Sequence, residues 1–151
     1  SVYQIEDAGY VCLGTFEDCV GLNLCDGITV RNEVLAKRRA DIVAYVKCVQ
    51  RAIDELGGDA DLRFEYLKQF YADRGQTIED SVLQRLSDDT IYMTTDVISA
   101  SDYVFANQWG KISDFLMENG KFDADGRANI DKNIDVTVLE EATGLDIPTC
   151  N

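Results

Sequence analysis

One stretch constrains this chain more than any other: from Thr29 to Leu56, apolar residues return every three or four positions. At about 100° per residue, Val30, Val34, Leu35, Ile42, Tyr45, Val46, Cys48, Val49, Ala52, Ile53 and Leu56 fall within one broad face. A helix carrying so long a stripe has to pack other elements along its length. Gly57-Gly58 then stops it, because glycine enters the left-handed conformation of a C-cap without steric cost. Asp59 or Asp61 is placed to cap the helix that follows.

The remaining segments extend the same pattern. Leu62, Phe64, Tyr66, Leu67, Phe70 and Tyr71 make an aromatic-rich helix over 61–73, closed by Gly75. Thr77-Ile-Glu-Asp80 has the form of a capping box, predicting a helix over 78–87 that buries Val82, Leu83 and Leu86. The stretch 90–99 is rich in β-branched residues but has helical neighbours, and it is assigned to helix. Val104, Phe105, Trp109, Ile112, Phe115 and Leu116 share a face over 102–118, ended by Asn119-Gly120. A second capping-box pattern, Thr137 to Glu140, opens a short helix ending near Gly144. The expectation is an all-α fold: a single helical domain over 1–151, with about six or seven helices. At this length the chain can bury roughly two-thirds of the surface its unfolded form exposes.

Composition removes several kinds of chemistry. The 28 acidic residues against 14 basic ones leave a formal charge of −14, which repels nucleic-acid phosphates and anionic membranes. There is no histidine, so histidine-based catalysis, the usual zinc ligand and the proximal haem ligand are all missing. Adjacent carboxylates such as Glu17-Asp18 and Asp88-Asp89 point in different directions and form no acid/base pair. The expectation is a non-enzymatic protein without metal or cofactor. The chain opens with Ser1 and contains no apolar run long enough to span a bilayer, as a processed secretory protein would.

Cysteine usage points to the same compartment. Cys12, Cys19 and Cys25 cluster near the start, Cys48 lies on the long helix and Cys150 is next to last. The C-x6-C and C-x5-C gaps suit neither a zinc site nor a C-x-x-C redox centre. A disulfide framework is left, with two bridges expected. Cys48 is assigned to Cys19 or Cys25, a bridge that in the chain-entropy account stabilises by roughly 3 to 4 kcal/mol. Cys12 is assigned to Cys150, holding the tail. The fifth cysteine is then a buried thiol or a bridge between two chains, giving a disulfide-linked dimer.

Two other patterns invite a binding role. FDADGRANIDKN, over 122–133, contains D-x-D-G, but a calcium loop registered on Gly126 would place Lys121 and Lys132 where carboxylates should bind. It reads as a polar turn whose Asp and Asn side chains satisfy the local backbone. Arg31 and Arg38 project into the apolar stripe, where a guanidinium needs a carboxylate from the protein or from a bound acid. Arg38 is therefore the candidate for a ligand's head group, with Tyr45, Phe70 and Trp109 as candidate lining of an apolar cavity.

Size, acidity, helix number and the lack of a catalytic motif together resemble secreted all-helical, disulfide-stapled arthropod proteins, the odorant-binding proteins and the salivary proteins of blood-feeding insects. The C-x3-C and C-x8-C spacings of that family do not occur here, so no residue role is carried across. Two functions are expected from the residues. One is a secreted interaction module that inhibits or sequesters an extracellular protein bearing a basic patch. The other is an extracellular carrier of a small hydrophobic ligand.

Overall fold

The computed structural model describes residues 2–14, 18, 27–90, 92–99, 105–121 and 123–147, with the side chains of 105–109 and 131 outside that description. Among the described residues there are eight helices: α1 (Val2–Asp7), α2 (Asn32–Gly58), α3 (Ala60–Ala72), α4 (Asp80–Asp89), α5 (Thr95–Ser99), α6 (Phe105–Glu118), α7 (Ala124–Asn133) and α8 (Thr137–Thr143). The all-α expectation holds for these residues. The long helix α2 organises the packing: α8 lies along it, α3 follows it and carries α4, and α1 rests on α4. Separately, α7 packs on α6.

The face that α2 turns inward takes in most of its apolar stripe but not its full breadth. Val46 and Gln50 are buried, with Leu35, Arg39, Ile42, Val43, Val49, Ile53, Asp54, Leu56 and Gly57 half-buried around them. Val34, Tyr45, Cys48 and Ala52 are exposed. Positions two residues from Val46 and Gln50 lie about 200° away around a helix, so Cys48 has to face outward once α8 packs on that pair. Arg38 interrupts the helix with φ −133° and ψ 32°, a break that shifts the register between the two halves.

Two apolar clusters sit beside α2. Val46, Val138 and Ala142 form one, with Leu35, Ile42, Val43 and Leu139 packed against it. Ile98, Val136 and Ile147 form the other, flanked by Met93, Ile134, Leu139 and Leu145. Leu139 belongs to both and joins them. In α4, Val82, Leu83 and Ser87 are almost fully enclosed.

The helix ends correct several expectations. The Gly57-Gly58 pair is not a left-handed stop, since neither residue has positive φ. Asp59 does the work instead: its extended backbone (φ −132°, ψ 105°) ends α2, and its side chain accepts from the Leu62 N–H to start α3. Gly57 is required for another reason, because a Cβ there would overlap Thr94 Cγ2. At Gly144 the glycine stop is real, with φ +78° and its N–H donated to Glu140 O.

Neither capping box forms. The N-cap positions of α4 and α8 are Glu79 and Val136, and neither makes a side-chain cap bond. Asp80 pairs with Lys68, while Glu140 accepts from the Ile147 N–H. Among the described residues of 90–99 the helix begins at Thr95, because Thr94 acts as an N-cap whose hydroxyl accepts from the Val97 N–H. Of the polar turn expected over 122–133, residues 124–133 form helix α7, started by the Asp123 carboxylate accepting from the Gly126 N–H. Helix α1 carried no periodic signal in so short a segment.

Candidate functional site

The N-terminal arm has the most unusual surface of the described residues. An ordinary short helix docks by its apolar side, but α1 does the reverse. Tyr3 and Glu6 are half-buried, whereas Val2 and Ile5 are exposed. The Tyr3 hydroxyl donates to Asp89 on α4, and Arg85 on the same helix donates to Glu6 and to Asp7 Oδ1. The Arg85 guanidinium also stands 4.2 Å from the centre of the Tyr3 ring. That donated bond, then desolvation and the Asp89 charge, raise the Tyr3 pKa against an opposing effect of Arg85.

Beyond Gly9, which takes φ +91°, the chain runs without regular structure from Tyr10 to Gly14. Val11 is 80% exposed and Leu13 98%. Ten large hydrophobic residues are exposed among the described residues, and five of them, Val2, Ile5, Tyr10, Val11 and Leu13, lie in this arm. The segment from Ala8 to Gly14 carries no charge in a chain of net −14. Beside α1 a groove of about 350 Å³ is lined by Gln4, Tyr71, Gln76, Thr77, Ile78 and Leu86.

A second polar constellation lies on the inward face of α2. Gln50 donates to Met93 O at 2.8 Å and to Asp54 Oδ1 at 3.2 Å. Asp54 accepts from the Thr95 N–H at 2.6 Å and the Thr95 hydroxyl at 2.7 Å. Burial would raise the Asp54 pKa, but the bonds from Thr95 and Gln50 together outweigh it and hold the carboxyl below the ordinary range. Arg63 clamps the same region by donating to Leu56 O and Gly57 O, two carbonyls in the last turn of α2, with its guanidinium 5.5 Å from the Tyr92 ring centre. With both oxygens engaged, Asp54 serves as an anchor for the 92–95 connector. Sequence reasoning missed this cluster, although Gln50 and Asp54 one turn apart within an apolar stripe were its visible sign.

The candidate ligand residues are not gathered around one cavity. The Arg38 side chain is 68% exposed and its Nε bonds Asp41 Oδ2 at 2.8 Å, so its carboxylate comes from its own helix. Arg31 is exposed as well. Tyr45 is 58% exposed on the outer side of α2. Phe70 is half-buried in α3, with the Arg74 guanidinium 3.5 Å over its ring and Tyr71 edge-on at 5.5 Å. None of Arg38, Tyr45 or Phe70 lines the groove beside α1. Trp109 lies in α6, and its side chain is outside the described residues.

The expected disulfides are likewise not present at the two cysteines described. Cys12 and Cys48 are both exposed free thiols. Cys48 faces away from the surface where α8 packs, and the Cys12 thiol contacts only Gly14 O, at 3.6 Å, among the bonds described. Cys19, Cys25 and Cys150 lie outside the described residues. Among the described residues no three Cys, Asp or Glu side chains are grouped to hold a metal ion, and no helix is long and apolar enough to cross a membrane. No family model, curated protein or solved structure matches the chain.

Proposed function

We propose that this protein is a secreted, non-enzymatic interaction module that inhibits or sequesters an extracellular protein. The observation that carries this reading is the concentration of exposed apolar side chains in the arm from Val2 to Leu13, which carries no charge from Ala8 onward. An apolar strip with a polar surround is the ordinary make-up of a protein-binding surface. The charge of −14 supports a partner with a basic patch, since opposite fields speed encounter. Secretion would have the two described thiols pair in an oxidising medium, Cys48 with Cys19 or Cys25 and Cys12 with Cys150, although both are free in the structure. The fifth thiol then stays single or links two copies. This reading keeps the resemblance to insect salivary proteins.

The test compares the disulfide-intact protein with Val11→Asp/Leu13→Asp in capture from the extracellular fluid of its source. Both positions are exposed, so the circular dichroism should not change. A partner retained by the wild type should bind the variant about tenfold more weakly or worse, the cost of placing unpaired charge in an apolar contact. Equal capture by both would remove the arm from the reading. Finding five free thiols in native, unreduced material would overturn secretion.

The second reading, a carrier of a small hydrophobic ligand, would seat it against Ile78, Leu86 and the Tyr71 ring, the apolar part of a groove whose lining is mostly polar. Native mass spectrometry of protein from its source would then find a retained small molecule.

A further inference from the structure

We propose that α1 is a strap latched by charge, which rests on α4 while Arg85 holds Glu6 and Asp7 and lifts to open the groove beside it when those pairs weaken. The inference is independent of whether the arm binds a protein. It stands first on the inverted docking of α1: its inward contacts include the Arg85 ion pairs, the Tyr3 bond to Asp89 and the Arg85 guanidinium over the Tyr3 ring. Its aliphatic side chains, Val2 and Ile5, face solvent, so burial contributes little to holding it.

Second, one residue makes several of the contacts that hold the strap. Arg85 reaches Glu6, Asp7 and Tyr3 together, so its loss releases three contacts at once. Third, six residues are too few to stay helical in water without docking. Lifting α1 therefore also unwinds it. Gly9, with open space around its Cα and φ +91°, lies just beyond the helix where the chain can pivot. Fourth, Gln4 of α1 is part of the groove's lining, while Tyr71, Gln76, Thr77, Ile78 and Leu86 belong to the body. Lifting the strap removes that wall and widens access to Ile78 and Leu86.

Salt is the natural key, because Arg85, Glu6 and Asp7 are partly solvated and the screening length shrinks from about 30 Å at 0.01 M to about 3 Å at 1 M. The bonds Gly9 N–H to Glu6 O at 2.8 Å and Tyr10 N–H to Ile5 O at 3.2 Å exist only while α1 is wound, so their hydrogen exchange reports the strap. Exchange in 2–10 of the full chain should quicken about fivefold between 0.01 M and 1 M NaCl, the factor two exposed ion pairs of ordinary strength supply, while α2 and α8 keep their rates. Arg85→Gln should exchange fast at both salt levels, and Arg85→Lys should retain part of the salt response. The uncharged probe N-phenyl-1-naphthylamine should fluoresce more strongly in every state where 2–10 exchanges fast. If Arg85→Gln loses its helical circular dichroism, Glu6→Gln/Asp7→Asn breaks the same pairs from the strap's side. Exchange that ignores salt, or survives these substitutions unchanged, would overturn the latch. Faster exchange without a rise in probe fluorescence would overturn the uncovering of the groove.

Discussion

Asp54 sits one turn beyond Gln50 on the inward face of α2, and its carboxylate holds the connector that leads into α5. Its pKa is lowered despite burial, because the bonds from Thr95 and Gln50 favour the charged form. A depressed carboxyl stabilises the fold fully above its unfolded value, about 3.9, and loses that contribution as pH falls through the folded value. Asp54→Asn should lower unfolding stability in urea by about 1–2 kcal/mol at pH 6. The gap from the wild type should narrow below about pH 4. Tyr3 titrates with the opposite sign. Its pKa is raised by the bond to Asp89, so the stability it contributes is complete below about pH 10 and is lost as pH rises through the folded value. Tyr3→Phe should remove that alkaline loss, which hydrogen exchange of α1 would read.

At the scale of elements, the two glycines at the end of α2 separate two effects that look identical in sequence. Gly57 lies against Thr94 Cγ2 and Tyr92 Cβ, whereas nothing lies within 4 Å of a Cβ built at Gly58. Thr94 cannot turn aside freely, since its hydroxyl caps α5. Gly57→Ala should therefore destabilise by about 1–3 kcal/mol through overpacking. Gly58→Ala should be neutral or stabilise by up to about 1 kcal/mol, as alanine costs less backbone entropy. Thermal melts of the two variants would show shifts of opposite or clearly unequal size. Asp59 serves two helices, and Asp59→Ala should cost about 1 kcal/mol through the lost cap on α3.

Across the whole molecule, burial and charge act in different places. Leu83, 1% exposed, is a strong anchor of α4, and Leu83→Ala should lower stability by about 2–5 kcal/mol in urea or thermal unfolding. The net charge of −14 makes the body repel itself, so added salt should raise the melting temperature of the body while loosening α1. Calorimetry and hydrogen exchange along one salt series would show those opposite responses. Much of the element order was legible beforehand: the long helix, the aromatic-rich helix after it, the helix ending at Glu118 and the turn at Gly144 all depend on local periodicity or local backbone conformation. Helix α7 was not, because its inner side is Gly126, Arg127 and Ile130, with Arg127 donating to Gly110 O and Asp114 of α6, so there is no apolar period to read, and Asp123 as a cap is indistinguishable from a turn residue. The candidate ligand set was not legible as a site either. Arg38, Tyr45 and Phe70 share a period with core positions, but a period does not say which side of the helix meets a neighbour.

By itself the sequence determined that this protein is helical in its described part, that it is strongly acidic and that histidine chemistry is absent, since these follow from periodicity and composition. The tertiary structure decided which third of α2 is inside, that Gln50 and Asp54 belong there with Val46, that Cys48 does not, and that α1 is held by Arg85. Each of these is a meeting between residues about 40 to 100 positions apart or a rotation of one helix relative to another, and a stripe about 100° wide or more leaves that rotation open.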